Sequence, residues 1–250
     1  MPPLPSDAEI SRAAEILRAG GLVAFPTETV YGLGANALNE QAVARIFDVK
    51  GRPRFDPLIV HIPGREWISR LAAKFPPEAE RLAERFWPGP LTLVLPKLPL
   101  VPDLVTAGCP TVGLRVPDHP VAQALLRAAD LPVAAPSANP FGRISPTTAE
   151  HVREQLGAQV DLTLDGGPCR VGVESTVLQL TTAEAILLRP GGTTVEEIEA
   201  LIGKVTIATT TESGAPTSGL ASPGTLSSHY APLTPLTIWQ RVLPSLARGG

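Results

Sequence analysis

SDAEISRAAEILRAGGLVAFP, residues 6–26, decides the fold class. Ser6 with Glu9 three residues later forms a capping-box pattern, and Ile10, Ala13, Ala14 and Leu17 then recur at the spacing of one helix face until Gly20 and Gly21 interrupt it. LVAFP, 22–26, follows as an apolar run of strand length, bounded by the glycine pair and by Pro26. A helix followed by a strand opens an α/β pattern.

The pattern continues outward. Asn39 is placed to cap a second helix whose Val43, Ile46 and Phe47 share a face and which stops at Gly51. Strand-like apolar runs lie at 57–62, 91–96, 111–117, 131–137, 160–167, 175–180 and 185–190, making eight strands with the first. Apolar residues three and four apart predict helices over 66–75, 77–86, 119–129, 148–156 and 195–202. Not every connection contains a helix, so an α/β chain with a mixed sheet is expected. Residues 1–205 read as one domain. From 206 to 235 the sequence is dense in Thr, Ser, Gly and Pro, with Glu212 its only acidic or basic residue, which is a linker composition. The last fifteen residues are too few for an independent domain.

The hydrophobic fraction of 44% excludes a wholly disordered chain, and a formal net charge of -3 argues against coating nucleic acid through a global positive field. Any anion site must be local. Cys109 and Cys169 form no CxxC pair, so neither a disulfide framework nor a zinc site is indicated, and a reducing cytoplasm is the expected home. No secretory leader and no bilayer-length apolar run is present, so no membrane partner is expected.

Five segments could carry chemistry. FPTETVYGLG, 25–34, runs a buried strand into Thr27, Glu28, Thr29 and Tyr31 before a Gly-x-Gly; it suits a strand-end site or an ordinary turn, and it is neither a dinucleotide fingerprint nor a Walker loop. RIFDVKGRPR, 45–54, sets Arg45, Lys50, Arg52 and Arg54 against Asp48 just beyond a helix C-terminus, with His61 one strand later. Such cations complement the helix dipole, and Gly51 and Pro53 hold three of them on a turn that would suit a polyphosphate. In TVGLRVP, 111–117, Thr111 and Arg115 lie four apart on one strand face; an Arg in an apolar strand requires a partner, either a structural salt bridge or a bound carboxylate. VAAPSANPFGRIS supplies Ser137, Asn139 and Ser145, either for a phosphate or ribose cradle or for ordinary turns. GGPCRVGVESTV and LLRPG supply Glu174, Ser175, Thr176 and Arg189, with Cys169 read as inert.

Taken together and in order, these segments, with WPGPLTLVL at 87–95, closely resemble the YrdC-like threonylcarbamoyl-AMP synthases over about residues 8–205. The resemblance implies a twisted, mixed, open sheet with flanking helices. It also implies a nucleotidyltransferase that joins L-threonine, bicarbonate and ATP into threonylcarbamoyl-adenylate and pyrophosphate, for use by a separate tRNA-modifying transferase complex. Carried over by motif, Thr27, His61, Arg115 and Ser175 are expected at threonine, and Lys50, Arg52, Arg54, Thr111, Ser137, Asn139, Ser145 and Arg189 at ATP, with Lys50 and Arg52 acting in catalysis. Magnesium is expected on the triphosphate. ASPGTLSSHYAP, 221–232, resembles the linker of longer members, in which Tyr230 and His229 would fold back as a lid; the small second domain that follows there is expected to be missing. Family members often have Asn where this chain has Asp56. A pure tRNA-binding module would use the cationic turn but not the threonine-sized set, and direct tRNA binding is not visible. Carbamoyl transfer, as in related maturation domains, would call for further domains that are expected to be missing.

Overall fold

Ser6 accepts the Glu9 backbone N–H on its hydroxyl at 3.3 Å while the Glu9 carboxylate accepts the Ser6 N–H at 2.9 Å, so the capping box forms reciprocally. It starts α1 (Asp7–Arg18), which leads to β1 (Val23–Phe25), β2 (Gly32–Asn36), α2 (Glu40–Lys50) and β3 (Ile59–His61). After a 3-10 turn at Arg65–Trp67 come α3 (Ile68–Leu71), α4 (Pro77–Phe86), β4 (Leu91–Pro96), α5 (Asp103–Thr106), β5 (Thr111–Arg115), α6 (Pro120–Ala129) and β6 (Val133–Ala134). A third group holds α7 (Ala149–Leu156), β7 (Leu162–Thr163), β8 (Thr176–Gln179), β9 (Ile186–Arg189), α8 (Val195–Ile202) and β10 (Thr206–Ile207). The structure is a computed structural model that describes residues 4–182 and 184–208.

The strands form one open mixed sheet in the order β10-β9-β8-β4-β5-β3-β6-β2-β1-β7. Parallel pairs (β1 with β7, β3 with β5, β4 with β8, β9 with β10) are interspersed with antiparallel ones, three of which, β3 with β6, β6 with β2 and β2 with β1, run in succession. Side chains alternate between the two faces. On one face α1 and α6 pack Ala13, Leu17, Ala122 and Leu125 against Val23, Phe25 and Val133. The other face buries the larger core, including Ala24, Val60, Leu93, Leu114 and Leu178. The α1/α6 face continues across β3, β4 and β8 with only a small separate cluster of Ile59, Val94 and Val177. That thinly covered stretch is where the site lies.

Several expectations change: besides those below, the strand expected over 160–167 is confined to Leu162–Thr163, and α5 stands where no helix is expected. β2 stands where the sequence suggests a turn, because GLGAN lacks the bulky residues that signal a strand; its glycines are there for contact. A Cβ on Gly34 would sit 2.8 Å from both Phe25 Cε1 and Val133 Cγ1, so the strand can lie close to its neighbours only without one. The helix expected over 66–75 ends at Leu71, since Ala72 turns extended and bridges to Lys97 at the sheet. The run 131–137 keeps only Val133–Ala134 as strand, because Pro132 and Pro136 flank it without N–H donors. The sheet also runs past residue 205, since Thr206 and Ile207 pair with Ile186 and Leu187. Among the described residues no helix is long and apolar enough to cross a membrane.

Gly34→Ala should therefore lower unfolding stability by about 1–3 kcal/mol through overpacking against Phe25 and Val133. Urea denaturation checks this; an unchanged midpoint would mean that the sheet gives way there at no cost.

Candidate active site

Strand register assembles the site. Parallel pairing sets His61 beside Arg115, and antiparallel pairing sets His61 beside Val133. Farther along the sheet Thr92 pairs with Val177, and Val177 with Arg189. These residues project from the thinly covered face, and the loops after β1, after β6 and before β8 close over them. The cleft, open to solvent and with about 500 Å³ of empty space, is lined by residues that include Thr27, Thr29, Arg52, His61, Arg115, Ser137, Glu174, Ser175 and Arg189.

Arg115 is the best-fixed group in it. Its Nη2 donates to Glu28 Oε1 at 2.7 Å and to Thr29 Oγ1 at 2.9 Å, and its Nε donates to the Gly89 carbonyl at 3.3 Å. Glu28 Oε2 accepts the Asp118 N–H at 2.9 Å, so both carboxylate oxygens are engaged. The ion pair is buried on both sides. Arg115 Nη1 has no hydrogen-bond partner among the described residues, which leaves that half of the fork for a ligand in the cleft. Salt bridge and carboxylate site, alternatives in the sequence, are thus compatible in one side chain.

The turn after β1 is built from its own hydroxyls. Thr27 Oγ1 donates to the Val30 carbonyl at 2.7 Å and accepts the Thr29 and Val30 N–H groups at 3.2 Å, so Thr27 both lines the cleft and closes the turn. Tyr31 donates its hydroxyl to the Gly167 carbonyl at 2.8 Å, and burial pushes the phenol up to about 12. The buried His61 ring meets Phe25 edge-on, with centroids 6.1 Å apart. Burial first, and the Arg115 charge second, depress its pKa to about 3, so it is neutral in the site. Ser175 shares a hydrogen bond with Thr92 at 2.8 Å, and Arg189 donates through Nη2 and Nε to the Ser175 carbonyl at 2.9 and 3.1 Å.

The cationic block is divided by the fold. Gly51 adopts φ 58° at the end of α2, a conformation natural to glycine, and turns the chain so that Arg52 enters the cleft wall. Arg52 Nη2 donates to the Pro57 carbonyl at 2.9 Å and faces Asp56 Oδ2 at 2.9 Å. Lys50 does not line the cleft. Its Nζ donates to the Ser137 carbonyl at 2.6 Å and to the Asn139 carbonyl, fastening the loop after β6 to the end of α2; burial, then Arg52, lowers its pKa well below the usual lysine value. Arg54 is exposed, and Arg45 pairs elsewhere with Asp161 at 3.0 Å.

The remaining expected residues also separate. Asn139 Nδ2 donates to the Pro140 and Arg143 carbonyls and shapes its own loop. Ser145 reaches the cleft only through Glu174, to whose Oε1 it donates at 2.5 Å. Thr111 lies in a second, mostly apolar cavity of about 320 Å³ with Thr106 and Cys109; it adjoins the first, since Pro57, Ile59 and the strands between are common to both. Burial raises the Cys169 thiol to about 12, which matches an inert cysteine. Tyr230 and His229 lie outside the described residues. Sequence reasoning placed Glu28, Thr29 and Glu174 in candidate segments without giving them a ligand role, and did not single out Thr92. For Glu28 a signal existed: an acid between two threonines after a buried strand demands a buried partner.

A cleft framed by one anchored guanidinium, a neutral imidazole and two further arginines, on one face of a mixed open sheet, gives an α/β protein a pocket suited in shape and charge to a small anionic molecule. The chain belongs to the Sua5/YciO/YrdC family, whose profile, described as Telomere recombination, matches residues 15–191. It is 52% identical over 224 residues to the threonylcarbamoyl-AMP synthase of Pyrococcus abyssi, covering 90% of this chain and 66% of that one. It is 50% identical over 241 residues to the threonylcarbamoyl-AMP synthase of Bacillus subtilis, covering 93% and 67%. The crystal structure of P. abyssi Sua5 complexed with L-threonine superposes with a TM-score of 0.87 at 51% identity, over 91% of this chain and 66% of that chain. The chain therefore spans about two thirds of the length of these relatives.

Two outcomes follow from the geometry. A His61 held neutral gives the unfolded state more bound protons below pH 6.5, so stability is full above that value and falls as pH drops from 6.5 toward 3. His61→Gln should flatten that part of the profile in denaturation series; an unchanged slope would contradict the depressed pKa. Glu28→Ala leaves Arg115 charged and unanswered and should destabilise the fold by about 3–5 kcal/mol, measured by urea melts, against a much smaller loss for an exposed acid such as Glu150.

Proposed function

We propose that this chain catalyses formation of threonylcarbamoyl-adenylate from L-threonine, bicarbonate and ATP, with release of pyrophosphate. The observation that carries the reading is the half-engaged Arg115 fork, with Nη2 held by Glu28 and Thr29 and Nη1 left for a carboxylate, beside the cationic wall of Arg52 and Arg189. The threonine complex of the P. abyssi relative supports it.

In this reading Arg115 binds the threonine carboxylate, and Thr27, His61 and Ser175 surround the rest of the amino acid. A neutral His61 adds no second positive charge beside Arg115, which favours an amino acid over a dianion. Condensation of the threonine amine with bicarbonate gives the carbamate and water. A carbamate oxygen then bonds to the α-phosphorus as the bond from that phosphorus to the bridging oxygen breaks, and pyrophosphate leaves with the electron pair. No protein nucleophile is needed, so positioning and charge neutralisation carry the rate. Arg52 and Arg189 neutralise phosphate charge, the Ser137 loop cradles phosphate oxygens, and Lys50 acts by holding that loop to α2. The adjoining cavity with Thr111 takes the base, since its walls are apolar with a few hydroxyls at hand.

Magnesium would arrive on the triphosphate, held by phosphate oxygens and water: among the described residues no group of three His, Cys, Asp or Glu side chains is placed to bind a metal. The product would pass to a tRNA-modifying transferase complex, and two cysteines, Cys109 and Cys169, that form no disulfide with each other suit a cytoplasmic setting.

Pyrophosphate release assayed with threonine, with serine and with no amino acid tests the proposal. Release should require threonine and bicarbonate together, and Arg115→Ala should reduce it at least 100-fold, as expected when a charge-assisted carboxylate contact of about 3 kcal/mol is lost. Release independent of threonine, or full activity in Arg115→Ala, would refute it.

A further inference from the structure

Beside the cationic wall lies an acid to which the reaction gives no part. Asp56 is completely buried, just before β3; its Oδ2 lies 2.9 Å from Arg52 Nη2, and its Oδ1 has no hydrogen-bond partner among the described residues. A buried carboxylate oxygen without a donor is costly, and a charged one is tolerated only where cations surround it. Lys50, Arg52 and Arg189 supply that field. Each of these cations also donates to backbone carbonyls, of Ser137, Pro57 and Ser175 respectively, but carbonyls carry no net charge. The other acid near Lys50, Glu174, accepts from Ser145. Among the described residues Asp56 is thus a buried anion in direct contact with the wall.

We propose that Asp56 is a resident counter-anion of the nucleotide-binding wall, holding Arg52 in the unliganded cleft and competing with the triphosphate for it. The inference rests on the reading that this cleft binds ATP. A phosphate oxygen that reaches Arg52 meets a guanidinium already facing a carboxylate, and the two anions then lie within a few Å of each other. Burial already raises the Asp56 pKa, against the pull of Arg52, Lys50 and Arg189, so an approaching phosphate pushes this carboxyl further toward its neutral form. The cost grows with phosphate charge. ATP affinity is therefore set below what the three cations alone would give, while threonine, held at Arg115, is unaffected.

Asp56→Asn removes the charge and keeps the shape. Calorimetric titrations of ATP, AMP and L-threonine into wild type and Asp56→Asn, with and without magnesium, test the proposal. ATP should bind the variant about tenfold more tightly, the scale of one pKa-sized charge interaction, with a smaller gain for AMP and no change for threonine. Unchanged or weaker ATP binding by a folded variant overturns it. So does a loss confined to the magnesium titrations, which would make Asp56 a metal ligand instead. Should Asp56→Asn fail to fold, carbon-13 spectra of wild type labelled at aspartate carboxyls decide: one carboxyl resonance must move on adding ATP and stay in place with threonine, and no movement refutes the proposal. If wild type binds threonine but no ATP, the nucleotide reading itself falls, and this inference with it.

Discussion

A guanidinium buried in a sheet face stays charged and fixed only if an anion answers it, and the pairing of Glu28 with Arg115 is the contact around which this molecule is arranged. Glu28 reaches β5 because the turn after β1 is closed by Thr27 and because the backbone carbonyls of Glu28 and Thr29 accept N–H groups from Val171 and Gly172. Its second oxygen takes the Asp118 N–H, so the pair also ties the chain that leaves β5. Three distant segments are thereby locked to one charge. Its replacement by an apolar pair could be as stable, but would leave no fork facing the cleft.

From that anchor the chemistry is laid out by register. Residues two apart on a strand share a face, and paired strands bring them level, so His61, Arg115 and, farther on, Arg189 stand along one surface without any loop having to position them. Loops supply the remainder: hydroxyls from the turn after β1, carbonyls and Ser137 after β6, Glu174 and Ser175 before β8. Lys50 shows the division well. It is a charged residue at a helix end, yet its buried ammonium serves the Ser137 loop rather than the open cleft.

Much of this was legible in the sequence, for identifiable reasons. The capping box at Ser6, the Asn39 cap and the Gly51 stop are local codes, so α1 and α2 lie close to where the pattern puts them. Apolar runs found most of the strands, but not β2, whose glycines answer to neighbours distant in sequence, nor the early end of α3, where Ala72 joins the sheet. Motif order brought Thr27, His61, Arg115, Ser175, Arg52 and Arg189 to one cleft. The partners of charges were harder. Glu28 and Arg115 stand 87 residues apart, and composition cannot distinguish Lys50, turned inward to a loop, from Arg54, turned out to water.

The central claim is that Arg115 presents the outward half of its fork to an amino-acid carboxylate. Calorimetry with L-threonine and with L-threoninol, which keeps the amine and side chain but replaces the carboxylate by an alcohol, tests it most directly. L-threonine should bind, and L-threoninol should bind at least 100-fold more weakly, the loss of a charge-assisted contact of about 3 kcal/mol. Equal affinity for the two would contradict the account.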